Sequence, residues 1–104
     1  MTFDTFARLL RQRLTKLGYK TMLGETCDLF YIENYCGSIN LFKIEYCYKF
    51  FQYAESPNCT YWTQVKDFTF KDLKKLFELA KQYTIYAKEK LIKDKLNEIN
   101  KDFQ

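Results

Sequence analysis

Ile39-Asn-Leu-Phe-Lys-Ile-Glu-Tyr-Cys-Tyr-Lys-Phe-Phe-Gln-Tyr53 is the stretch whose reading decides the fold. Phe42, Ile44, Tyr46, Tyr48 and Phe50 recur at every second position and point one way. Lys43, Glu45, Cys47 and Lys49 fall between them and point the other. A period of two is what a strand with one buried face requires. The alternation breaks at Phe50-Phe51, which predicts a bulge or a strand end there. Working outward, Cys27–Tyr35 reads as a preceding strand, with Phe30 and Ile32 on one face and Leu29 and Tyr31 on the other. Gly37-Ser38 marks the turn between the two. Tyr19–Leu23 reads as a short strand or an extended connector, followed by a Gly24-Glu25-Thr26 turn. Glu55-Ser56-Pro57-Asn58 makes a hairpin loop. Cys59–Asp67 is the last strand, with Tyr61, Thr63 and Val65 opposite Trp62, Gln64 and Lys66; either side fits the core.

Helical patterns bracket this block. Thr2 is a plausible N-cap, and Phe3, Phe6, Ala7, Leu10, Leu14 and Leu17 lie along one helical face before Gly18 ends the run. Leu9 falls outside that stripe. The second helix has the stronger start: Thr69 at the N-cap, Asp72 three residues on, and Phe68 and Leu73 placed to form a hydrophobic staple. Its pattern then runs to Phe103 without Gly or Pro. The expected architecture is therefore α+β: an antiparallel meander of three or four strands between an N-terminal helix and a long C-terminal one, in the order α-β-β-β-α.

The last helix carries two apolar stripes. Phe70, Leu73, Leu76, Phe77, Ala80, Thr84, Ala87 and Leu91 follow one face. Ile85, Ile92, Leu96, Ile99 and Phe103 lie about 120° away, at about 100° per residue. The first stripe is expected to cover the sheet. The second fits three arrangements: a kinked or broken tail folded back on the core, a helical handle for self-association or a partner, since its spacing is that of a short heptad run, or a frayed tail. Residues 1–91 thus read as a single α+β domain, and 92–104 as an extension whose Ile92, Leu96, Ile99 and Phe103 are candidates for homodimer formation.

The composition bounds function by exclusion. The chain has 104 residues, no histidine and only three glycines, Gly18, Gly24 and Gly37. Without His, the commonest proton carrier near neutral pH is missing, and no Gly-rich phosphate loop can form. Asp28, Glu33, Glu45, Glu55 and Asp67 are scattered and read as exposed edge and turn carboxylates. The expectation is a protein that is not an enzyme and has no catalytic residues, metal or cofactor. Cys27, Cys36, Cys47 and Cys59 show no CxxC spacing and read as free thiols. No charged, apolar and small-residue leader follows Met1, and no apolar run is long enough for a membrane span. The expected localisation is cytoplasmic, with no membrane contact.

The net charge of +4 is uneven: +4 over residues 1–20, −3 over 21–70 and +3 over 71–104. The basic surface therefore belongs to the helices. Residues 21–70 hold 13 of the 20 aromatics, more rings than one sheet face buries easily. Tyr and Trp dominate protein interfaces and also stack on bases. Arg8, Arg11, Arg13, Tyr31 and Trp62 are thus the candidate partner-binding residues.

The element order, with Lys71, Lys74 and Lys75 at the start of the second helix, resembles the double-stranded RNA-binding domain, which implies a nucleic-acid-binding module using basic helices. Its loop Glu33-Asn-Tyr-Cys-Gly-Ser38 departs from that family in lacking His or any basic residue. In its texture (short, single-domain, rich in Lys, Tyr, Phe and Asn) the chain also resembles the small anti-CRISPR and other anti-defence proteins of phages. That resemblance implies a non-enzymatic, protein-binding inhibitor or adaptor. Its partner would be a host protein or ribonucleoprotein complex such as a CRISPR nuclease.

Overall fold

Thr2 opens the first helix, its Oγ1 accepting the backbone N–H of Thr5 at 3.2 Å. The helix α1 spans Phe3–Lys16 and closes where Gly18 takes φ +95°. There the N–H of Tyr19 reaches back to the carbonyl of Leu14, and that of Gly18 to Thr15, both at 3.0 Å. This is the Schellman arrangement, whose left-handed position glycine occupies at no steric cost. The computed structural model describes residues 1–33, 40–57 and 61–102. The Gly37-Ser38 turn, Cys36, Cys59 and Phe103 lie outside these.

Five strands follow: β1 (Lys20–Leu23), β2 (Cys27–Tyr31), β3 (Phe42–Glu45), β4 (Phe50–Ala54) and β5 (Trp62–Val65). They form one antiparallel sheet in strict chain order, β1-β2-β3-β4-β5. The helix α2, Phe70–Asp102, is 33 residues long. The class is the expected α+β, with one correction to the strands. Of the two readings of Tyr19–Leu23 the strand holds, over Lys20–Leu23, although all four residues of β1 are exposed. The long strand expected across Ile39–Tyr53 is a hairpin, so the sheet has five strands and not three or four.

That hairpin turns at Tyr46-Cys47-Tyr48-Lys49. Lys49 adopts φ +55°, the left-handed position that closes a four-residue turn. Glu45 supports the bend by accepting the Cys47 N–H at 3.0 Å. The period of two persists through the turn in sequence but not in space. Tyr46 bends inward, Tyr48 is 83% exposed, and Phe50 moves to the sheet face opposite Phe42 and Ile44.

Both helices pack on one face of the sheet. The inner face carries Phe30, Phe42, Ile44, Phe51 and Tyr53, all buried, with Thr63 and Val65 half-buried at the β5 edge. This settles the side of the last strand. Phe51 stands at the centre, its ring 4.5 Å from Phe6, 5.0 Å from Phe3 and 5.7 Å from Phe68. Thr69 caps α2, accepting the Asp72 N–H at 3.2 Å. Leu73, Leu76, Ala80 and Ala87 bury as the first stripe predicts, but Phe70 is 75% exposed and Leu91 is 41% exposed. Tyr83, outside the expected stripe, is core: its hydroxyl donates to the Ala54 carbonyl at 2.6 Å, tying α2 to β4.

Tyr19 makes the matching tie, donating to the Ala80 carbonyl at 2.8 Å. Burial, and secondarily the nearby Tyr83 phenol, hold its hydroxyl far above the ordinary 10.0. The folded pKa exceeds the unfolded one, so this contribution is complete below pH 10 and falls as the pH rises beyond it. Stability to urea is expected to drop steeply above pH 10. In Tyr19→Phe the alkaline slope should be shallower, although the variant is less stable at neutral pH. Equal slopes would show that Tyr19 does not govern the alkaline limit.

Candidate functional site

The sequence-derived contacts do not gather on one surface. Arg8, Arg11 and Arg13 belong to the helical layer. Tyr31 and Trp62 lie on the opposite, helix-free face of the sheet. Ile92, Leu96 and Ile99 lie on the far half of α2.

Of the arginines, Arg8 is exposed. Arg11 is committed within the fold: its Nη2 meets Asp28 Oδ2 at 2.7 Å, and its guanidinium lies 5.7 Å from the Tyr46 ring centroid. The Tyr46 hydroxyl donates to the same carboxylate oxygen. Asp28 and Glu45 are each only 6% exposed, which corrects the reading of both as exposed carboxylates. A buried carboxylate needs donors, and Asp28 takes one from α1 and one from the β3–β4 turn. Arg13 stacks over Phe77 at 4.5 Å. With Leu9, Gln12, Lys16 and Leu17 these two line a cleft of about 400 Å³ between the helices. Leu9, outside the α1 stripe, is half-buried here. The cleft is cationic and has no acidic lining residue.

The helix-free face is assembled by strand register. Met22, Leu29, Lys43, Gln52 and Gln64 form one continuous row across all five strands. Cys27, Glu45 and Phe50 form a second row, and Ala54 pairs with Trp62 at the β5 edge. Met22 is 51% exposed and Trp62 is 37% exposed, while Leu29, Tyr31 and Phe50 are half-buried. Sequence reasoning singled out Tyr31 and Trp62 and put Leu29 on the face of Tyr31, but it missed Phe50, whose face depends on a hairpin that alternation alone concealed, and Met22, whose row is set by the β1–β2 register.

Along α2, every residue from Leu91 to Asn100 is exposed, so the tail does not fold back. Ile85 is exposed by 47%, Ile92 by 60%, Leu96 by 54% and Ile99 by 51%. Among the described residues no three His, Cys, Asp or Glu side chains converge to hold a metal, and Cys27 and Cys47 are free thiols. No described helix is long and apolar enough to cross a membrane. Comparison of the chain with family models, with curated proteins and with solved structures found no match.

Proposed function

We propose that this protein is a non-enzymatic, protein-binding inhibitor or adaptor that engages its partner through the helix-free face of its sheet. One observation carries this reading. A face with no helix over it, among the described residues, presents Met22, Leu29, Tyr31, Phe50 and Trp62 around a row of Lys43, Gln52 and Gln64. Aromatic anchors among hydrogen-bonding neighbours are the composition of a protein interface. The partner class follows from the resemblance to phage anti-defence proteins: a host nuclease complex of the CRISPR kind, blocked by surface complementarity.

A second reading has its own support. The cationic cleft beside Arg13 and Lys16, with Lys-rich α2 next to it, favours binding of nucleic acid by the helical layer. Salt separates the two, since phosphate contacts release counterions and weaken steeply as salt rises.

The test is capture from a bacterial lysate at low and high salt, with and without nuclease treatment, comparing wild type with Tyr31→Ala/Trp62→Ala. A protein retained under all four conditions is expected. The double variant should bind it about 100-fold more weakly, as loss of interface hot spots implies. Trp62 is the only tryptophan, so its emission should shift to the blue when the purified partner is added. Recovery abolished by nuclease or high salt would transfer the function to the basic helices.

A further inference from the structure

We propose that the projecting half of α2 pairs antiparallel with the same segment of a second copy of this chain. This surface is separate from the sheet face, and the inference does not depend on the function assigned there.

The tail leaves the domain. Beyond Ala87 no described side chain of α2 is buried, yet the helix continues to Asp102. The molecule is accordingly 57 Å long and only 28 by 24 Å across. Isolated helices of about 12–15 residues are marginal in water, and helices in proteins owe most of their stability to packing. Here the domain supplies the helical nucleus, and the tail still lacks a packing partner.

The spacing names the partner as another helix of the same kind. Ile85, Ile92, Leu96 and Ile99 follow one another at steps of 7, 4 and 3, the seam of a two-stranded coil, with Glu89 at the remaining seam position. The flanks decide the orientation. Side by side in parallel, Glu89 would face its own copy and Lys88 would face Lys93. Turned antiparallel, with Glu89 across from Ile92 of the second copy, each Glu89 moves away from its counterpart and comes within one helical turn of the other copy's Lys88 and Lys95, so the carboxylates sit among the Lys88–Lys95 contacts that the same register brings together. The same arrangement lays Leu96 against Ile85 and sets Ile99 at the end of the seam opposite Gln82. Two copies of this exposed seam make a small interface, at the low end of the range for specific contacts. A reversible dimer of micromolar strength is expected.

Light scattering of the full chain across 5–200 µM tests this. The wild-type mass should rise towards twice the 12.7 kDa of one chain. Ile92→Glu/Leu96→Glu should remain at a single chain mass, and Asn97→Glu, off the seam, should behave as wild type. All three positions are exposed, so far-UV circular dichroism should show each variant folded. Glu89→Lys should weaken association about tenfold through like-charge contact, and adding Lys95→Glu should restore it. A wild type that stays at one chain mass throughout, or a double seam variant with the wild-type mass, would overturn the pairing. A dimer that the Glu89→Lys/Lys95→Glu reversal fails to restore would overturn the antiparallel arrangement.

Discussion

Phe51→Ala will cost the domain about 3–5 kcal/mol, the range for removing a buried phenylalanine ring from a close-packed core. Phe51 has no exposed surface and lies on the inner face of β4. Its ring meets Phe3 and Phe6 from α1 and Phe68 from the segment entering α2. Loss of that ring leaves a void bordered by three elements that cannot all close on it. Domains of this size have about 5–15 kcal/mol in total, so the variant will be largely unfolded in moderate urea where the wild type is not. Phe70→Ala provides the contrast. Its ring, on the first turn of the same helix, is 75% exposed, and its removal should fall within about 0.5 kcal/mol of wild type. Urea titration of both variants checks this. Similar midpoints would mean that Phe51 is not the centre of the core.

Arg11→Met should lower stability by about 2 kcal/mol, which for a domain near 100 residues is a fall in Tm on the order of 10 °C. The variant leaves the buried Asp28 carboxylate, among the described residues, with Tyr46 as its remaining side-chain donor. The figure lies below the usual cost of breaking a fully buried pair because the Arg11 side chain is 45% exposed and partly hydrated. Asp28→Asn removes the charge and keeps an acceptor. The double variant Arg11→Met/Asp28→Asn should therefore be more stable than the sum of the two single losses predicts. Additive losses would remove the pair from the account. An Arg11→Met variant with unchanged Tm but lost partner capture would return Arg11 to the role of a binding contact that its place on the basic helix first implied.

The helices were the most legible part of the sequence. Thr2, Gly18 and Thr69 are caps whose chemistry is local, and the 3.6-residue stripe of α1 is also its buried face. The strands were less legible. The hairpin at Tyr46–Lys49 carries no Gly, Asn or Pro, and its left-handed residue is a lysine. Alternation ran unbroken across it, so two strands read as one. Every assignment that depended on that pairing went with it: the face of Phe50, the inward turn of Tyr46 and the burial of Asp28 beneath it. Tyr83 was overlooked for another reason: helical periodicity favours wholly apolar residues, and the partner of its hydroxyl is a carbonyl on a distant strand. The exposed stripe of α2 was legible because it is turned about 120° from the core stripe on the same helix.

The strict chain order of the strands also shapes how the protein emerges from the ribosome. Each hairpin can close as soon as it is synthesised, since every strand's partner is its neighbour in sequence. Helix α1 has no such neighbour. Its Phe3, Phe6, Leu10 and Leu14 are made first, but their cover comes from β4 and α2, tens of residues later. At about 5–20 residues per second, this greasy face waits for seconds before it is enclosed. During that interval the nascent chain offers chaperones an amphipathic segment that the finished protein hides, and final docking joins the first helix to the last.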